Sequence, residues 1–102
     1  MYVSDLITDF LESLEIEKGR STHTVDNYAL YLARFNEIAS EDLPEGQELK
    51  AKDINQEMLR KYRLKLNRFD DNPKHEHLSA LTQAYHLIAL RGFLKYLAKR
   101  GI

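Results

Sequence analysis

The sequence predicts an all-α fold of four helices. Apolar residues return every three or four positions in four separate segments, which is the spacing that places them on one side of an α-helix. Serine or asparagine stands near the start of each segment, where a side-chain oxygen can cap free backbone N–H groups. The last segment, residues 79–101, is so apolar that it requires other helices around it. We therefore expect one helical bundle.

Length and composition narrow the class of protein. A chain of 102 residues is the size of one domain, and such a domain buries roughly 65% of its unfolded surface. The absence of cysteine excludes a disulfide framework and a thiolate zinc site, and it fits a reduced, intracellular environment. We find neither a signal peptide nor an apolar run near the roughly 20 residues of a membrane span. We expect a cytoplasmic protein with no membrane contact.

The first predicted helix covers residues 4–18. Ser4 is the expected cap, and Gly19 is the expected end of the helix. Five apolar residues form one stripe that we assign to the core: Leu6, Ile7, Phe10, Leu11 and Leu14. The acidic residues lie off this stripe, so they are expected to face solvent.

The second predicted helix covers residues 20–39, with Ser21 or Thr22 as its cap. Its inner face recurs at helical spacing: Val25, Tyr28, Leu32 and Phe35. The start of this helix combines free backbone N–H groups with Thr22, His23 and Thr24, which is an arrangement that can bind phosphate. An ordinary capped helix start is the alternative interpretation.

The third predicted helix covers residues 54–69 and follows a polar connection, 40–53, whose Leu43 and Leu49 are expected to tuck back onto the core. Asn55 is the expected cap. The inner face comprises Leu59, Tyr62, Leu66 and Phe69. The outer face is strongly basic: Arg60, Lys61, Arg63, Lys65 and Arg68. Such a face meets phosphates, a membrane surface or an acidic protein, or is simply solvated.

The fourth predicted helix, capped by Ser79, is the longest. We assign seven apolar residues to its buried stripe: Leu81, Ala84, Tyr85, Ile88, Phe93, Leu94 and Leu97. Gly92 interrupts the helix at a cost of roughly 1 kcal/mol against alanine, which indicates a close backbone approach. Basic residues fill the last turns, where the helix dipole favours cations.

Charge is divided between the two halves of the chain. Residues 1–49 carry three basic and eleven acidic side chains, whereas residues 50–102 carry twelve basic and five acidic ones. The balances of −8 and +7 give the net charge of −1. This division suggests that one face meets a polyanion, and a dipolar surface without a partner is the alternative.

The sequence contains no motif that indicates catalysis. It has neither a glycine-rich phosphate loop nor a nucleophile elbow. His75 and His77 stand two apart in a loop that begins near Asn72–Pro73, but no third ligand accompanies them, so we do not predict a metal site. We expect no cofactor and no enzymatic activity from these residues.

Both ends of the chain resemble the core-binding domain of tyrosine recombinases, the phage integrase family. The segment LITDFLESLEIEKGRSTHTVDNYALYLARF is similar to the family's opening pair of helices. The matching residues there are Phe10, Leu11, Glu17, Lys18, Gly19, Ser21, Thr24, Val25, Tyr28, Leu32 and Phe35. The segment LSALTQAYHLIALRGFLKYLAKRGI is similar to the family's last helix. The matching residues there are Leu78, Ser79, Thr82, Leu87, Ala89, Leu90, Arg91, Phe93, Tyr96, Leu97, Gly101 and Ile102.

The resemblance implies a four-helix, SAM-like orthogonal bundle that forms half of a clamp around double-stranded DNA. A separate catalytic domain, absent from residues 1–102, would close the clamp, and recombinase protomers would assemble on paired sites. We expect these residues alone to form one DNA-binding domain and to be monomeric. The alternative is a helical protein-interaction module without a nucleic-acid role.

The resemblance also implies which residues bind DNA. Two crossed helices, beginning near Thr22 and Ser79, would present their starts and outer sides to one groove. The residues implied are Thr22, His23, Thr24, Arg34, Ser79, Thr82, Gln83, His86, Arg91 and Lys95. Gln83 would read an adenine edge, and Arg91 a guanine or a phosphate. Unlike many relatives, this chain carries on its second helix few basic residues besides Arg34, so weak binding is expected.

Overall fold

The computed structural model describes residues 1–68 and 78–102, which form four α-helices and one short 3-10 turn. The elements are α1 (Val3–Ile16), α2 (Thr22–Ser40), the 3-10 turn (Ala51–Asp53), α3 (Gln56–Asn67) and α4 (Ala80–Lys99). The all-α prediction is confirmed, and each helix boundary lies within two residues of the predicted one. The predictions for Phe69, for the break at Asn72–Pro73 and for His75 and His77 concern residues outside the described ranges.

Three of the four predicted caps are present. The side chains of Ser21, Asn55 and Ser79 each accept a hydrogen bond from the backbone N–H three residues later, over 3.2, 2.8 and 3.1 Å. The prediction for Ser4 is wrong, because α1 begins one residue earlier and Ser4 lies within its first turn. At the start of the helix, the backbone N–H of Val3 donates to the carbonyl oxygen of Leu49 over 2.9 Å. A tertiary contact thus satisfies one of the free N–H groups of the first turn.

Aromatic side chains connect the helices within the core. The ring of Phe10 in α1 contacts those of Tyr28, Phe93 and Tyr96, with centroid distances of 6.4, 5.7 and 5.4 Å. Phe35 in α2 meets Tyr62 in α3 edge to face at 5.0 Å. These contacts join α1, α2, α3 and α4 around one core.

Two further predictions concern close packing. The connection between α2 and α3 tucks back as predicted, with Leu49 buried and Leu43 packed against the core. At Gly92 the neighbour is a side chain: a Cβ atom added there would stand at an ordinary contact distance, 3.4 Å, from Cζ of Phe10, so α1 meets α4 here through a side chain and not through its backbone.

The predicted buried stripe of α4 was wrong in its first half. Leu81, Tyr85 and Ile88 are 62%, 46% and 49% exposed, and Ala84 is exposed as well. The buried residues of α4 are His86, Ala89, Leu90, Phe93 and Leu97. The error has a physical reason: apolar residues occur on more than one side of this helix, so spacing alone does not select the inward face.

Candidate nucleic-acid interface

The starts of α2 and α4 share one capping arrangement. The hydroxyl of Ser21 donates to the hydroxyl oxygen of Thr24 over 3.1 Å, and that of Ser79 donates to Thr82 over 2.9 Å. Each serine oxygen also accepts the threonine backbone N–H. The serine proton is therefore occupied, and the threonine proton remains to donate to an incoming acceptor. Each start offers hydroxyl and backbone donors to an anion.

The start of α2 lies beside the middle of α4. His23 and Thr24 of α2 line one pocket with Tyr85 and Ile88 of α4, and the rings of Tyr31 and His86 meet at 4.3 Å in a tilted arrangement.

A shallow groove of about 470 Å³ occupies that junction. Its lining residues are His23, Thr24, Asn27, Tyr28, Tyr31, Tyr85 and Ile88. His23 is exposed there, and its ring nitrogen lies 3.4 Å from the amide nitrogen of Asn27. None of the lining side chains carries a full charge when histidine is neutral, so this groove offers hydrogen bonds and apolar contact rather than electrostatic attraction.

His86 does not lie on the outer face of α4, so that prediction was wrong. Its side chain is fully buried. One ring nitrogen, Nδ1, lies 2.8 Å from the carbonyl oxygen of Thr82, and Nε2 lies 3.2 Å from Nη1 of Arg34. Because a carbonyl only accepts, Nδ1 carries the proton and Nε2 accepts from the guanidinium. The histidine is buried because both of its nitrogens have partners.

Arg34 is turned toward the protein by the same contact. It is half-buried and donates to His86, and it lies close enough to Tyr62 to act on that phenol. Burial raises the pKa of Tyr62 to about 12, and the charge of Arg34 opposes this shift. The guanidinium of Arg34 therefore interacts with His86 and Tyr62 within the protein.

The side chain of Gln83 also has a hydrogen-bond partner within the protein. Its amide nitrogen donates to the carbonyl oxygen of Leu78 over 2.9 Å, and the side chain is half-buried. This bond holds the amide against the start of α4. Arg91 and Lys95, in contrast, are exposed, as the prediction required.

A groove between α3 and α4 collects cations that the sequence analysis had not connected. It encloses about 500 Å³, and we call it the α3–α4 groove. Its lining residues are Leu59, Arg63, Leu87, Leu90, Arg91, Leu94, Lys95 and Ala98. No carboxylate lines it, and within residues 1–68 and 78–102 the three cations Arg63, Arg91 and Lys95 make no ion pair. The basic third helix was visible in the sequence, but its position beside Arg91 was not.

Two other cations of α3 are engaged by carboxylates. Arg60 donates two hydrogen bonds to Glu57, the shorter of 2.7 Å, and this bonding lowers the pKa of Glu57. Lys65 lies 3.2 Å from Glu41 and 3.4 Å from Asp42. Partial burial alone would lower the pKa of Lys65, but its hydrogen bonds to these two acids raise it.

Two searches over the described parts of the chain were negative. No group of three or more histidine or acidic side chains there is arranged to hold a metal ion. Within the same ranges, no helix is both long enough and apolar enough to cross a bilayer.

By its fold the chain falls in the class of small all-α domains, and it carries a cationic groove between α3 and α4. Comparison with known families identifies the class more closely, because residues 7–101 match the family model described as "Phage integrase, N-terminal SAM-like domain". The chain belongs to this family. No curated protein and no solved structure matches it.

Proposed function

We propose that this chain binds duplex DNA as the N-terminal half of the clamp of a site-specific tyrosine recombinase. The catalytic half of the clamp would belong to a separate domain, and other protomers would be its partners on paired sites. One observation carries the proposal. In a domain of the integrase family, Arg91 and Lys95 project from the exposed side of α4 without a carboxylate partner in the described chain.

The other contacts in the proposal are uncharged. Thr22, His23 and Thr24 at the start of α2 would hydrogen-bond to backbone phosphates. Ser79 and Thr82 would do the same at the start of α4.

Two residues of the original set take a different role in the proposal. Arg34 and His86 hold α2 against α4 and so position the exposed residues of both helices. They act as positioning residues, because His86 is fully buried and Arg34 is half-buried against it. Gln83 would contact DNA only through an amide that already donates to Leu78.

The proposal predicts weak, salt-dependent binding. The exposed side of α2 presents Asp26 and Leu30 where cations would strengthen contact with phosphates. Each cation that neutralises a phosphate contributes about −0.9 to the slope of log K against log salt concentration. Arg91 and Lys95 together would therefore contribute about −2.

Fluorescence anisotropy with a labelled random duplex, titrated between 50 and 200 mM KCl, tests the proposal. We expect the Arg91→Ala/Lys95→Ala double variant to flatten the salt slope by about two. The matched control is Lys18→Ala/Lys52→Ala, which removes two exposed cations that do not line the α3–α4 groove, and we expect it to leave the slope unchanged. Absence of binding by the unmodified chain at 50 mM KCl, or equal slopes for the two double variants, contradicts the proposal.

The second candidate is a protein-interaction module without DNA binding. It is favoured by the exposed apolar side chains of Leu81, Tyr85 and Ile88, which follow one another along α4. The same titration separates the two candidates, since a protein-interaction module shows no salt-dependent affinity for duplex DNA.

A further inference from the structure

We propose that α3 is a second DNA-contacting element, with Arg63 binding a backbone phosphate in the α3–α4 groove beside Arg91 and Lys95. This inference rests on the proposed function and extends it to a helix outside the predicted set of DNA-binding residues. The partner would be the sugar–phosphate backbone, which is contacted without regard to base sequence.

The first argument is the way the fold distributes the cations of α3. Lys65 is turned toward Glu41 and Asp42 in the connection after α2, and Arg60 is bonded to Glu57. Arg63 has neither kind of partner in the described chain and lines the groove instead. Among the residues that the structure describes, no carboxylate compensates this charge on the side that faces α4.

The second argument is the surroundings of that charge. Arg63, Arg91 and Lys95 line one groove without an acid, so in the free protein these like charges repel one another. Their aliphatic stems can cover the leucine floor, while their charged ends remain at the rim. An anion at the rim would relieve the repulsion, and three cations that line one groove suit a chain of anions better than a single one.

The third argument is the continuation of the groove toward the start of α4. Beyond Arg63 its walls carry the amides of Gln56, Asn67 and Gln83, together with Arg60. From Gln83 to Ala98, α4 extends about 22 Å along these two pockets by the helical rise. A DNA strand carries a phosphate at every nucleotide over such a length. The cations and neutral donors along the groove match such a strand, whereas an acidic peptide would place its anions only opposite the cations.

The test compares two variants of α3 that lose the same charge. Arg63→Gln removes the groove cation, and Lys61→Gln removes an exposed cation of the same helix that does not line the groove. In the anisotropy titration, we expect Arg63→Gln to reduce the magnitude of the salt slope by about one and Lys61→Gln to leave it unchanged. Arg63→Lys retains the charge and should retain the slope. Circular dichroism confirms that each variant remains helical.

The possible outcomes separate the two proposals. If the unmodified chain binds duplex DNA and the slope of Arg63→Gln equals that of the unmodified chain, the role of α3 is refuted while the proposed function stands. If the unmodified chain binds no DNA at 50 mM KCl, both fall. A glutamate-rich peptide serves as competitor. Tighter binding of this peptide than of duplex DNA, weakened by Arg63→Gln, overturns the inference in favour of an acidic protein partner.

Discussion

Two arginines from different helices face α4, and the fold treats them differently. Arg34 of α2 is half-buried and donates to His86, whose ring meets that of Tyr31 at 4.3 Å. Arg63 of α3 lines an open groove, with other cations as its neighbours. Both residues carry the same charge toward the same helix. The difference lies in the acceptor: α4 offers a neutral imidazole nitrogen to Arg34, whereas the described residues of α4 that line the groove beside Arg63 are leucine, alanine, arginine and lysine.

This comparison separates charges that stabilise the domain from charges that remain for a ligand. Substitutions on the enclosed side of α4 should change the free energy of unfolding, because they remove buried contacts. Substitutions in the α3–α4 groove should change binding and leave stability nearly unaltered. Four predictions test this division, from the largest expected effect to the smallest.

The largest effect is expected for Phe93→Ala. Phe93 is fully buried on the enclosed side of α4 and contacts the ring of Phe10. Removing a buried phenyl ring costs about 3–5 kcal/mol of stability, through lost burial and the cavity that remains. Urea denaturation measures this loss. Exposed Tyr85→Ala is the matched control, and a similar loss for both variants would mean that the inward face has been misassigned.

The next effect is expected for His86→Ala. The substitution removes a buried ring, a hydrogen-bond acceptor for Arg34 and a donor to Thr82. We expect a loss of about 2–4 kcal/mol in the free energy of unfolding. His23→Ala, which alters an exposed histidine of α2, should be close to neutral. Unchanged stability of His86→Ala would break the proposed distinction between the two arginines.

The third effect depends on pH and concerns the enclosed side of α3. Burial raises the pKa of Tyr62 to about 12, above its ordinary value of 10, so the folded state favours the neutral phenol. The associated stability is fully present below pH 10 and is lost as the pH rises to 12. Its size is roughly 2–3 kcal/mol. Urea denaturation at pH 9 and above should therefore show a smaller alkaline loss for Tyr62→Phe than for the unmodified chain.

A control for the pH experiment lies in the same substitution at neutral pH. The Tyr62 hydroxyl is buried without a hydrogen-bond partner among the described residues. Removing it should leave stability at pH 7 unchanged or raised. A loss above about 1 kcal/mol at pH 7 would show that this hydroxyl is hydrogen-bonded in solution.

The smallest effect is expected for the stability of Arg63→Gln. The side chain is exposed and has no ion pair in the described chain, so the free energy of unfolding should change by less than about 0.5 kcal/mol. Relief of repulsion from Arg91 and Lys95 favours a small increase. A loss above about 1 kcal/mol would place Arg63 with Arg34 as a structural residue.

The sequence predicted the elements of this fold well, because helix starts are local. Ser21, Asn55 and Ser79 cap helices through contacts only three residues long, so their role follows from the neighbouring sequence. Ser4 fails as a cap because α1 begins at Val3, whose N–H donates to the carbonyl oxygen of Leu49, a residue distant in sequence. A local cap can be predicted from a single segment, whereas an acceptor supplied from elsewhere in the fold cannot.

The candidate site was less predictable, because it depends on which side of α4 faces inward. Apolar residues occupy more than one side of that helix, and the choice was made by its neighbours. Phe93 packs against Phe10. His86 contacts the ring of Tyr31 and is hydrogen-bonded to Arg34. The polar histidine is therefore buried, and Leu81 and Ile88 are exposed, against their intrinsic hydrophobicity.

By itself the sequence determined four helices, three of their caps, a division of charge between the two halves of the chain and the family to which the chain belongs. All of these depend on residues close together in the chain or on a pattern preserved along it. Only the tertiary structure decided that Arg34 is enclosed and that Arg63 joins Arg91 and Lys95 in one groove. The physical reason is that the partner of a long charged side chain is set by packing between helices, which brings together groups far apart in sequence.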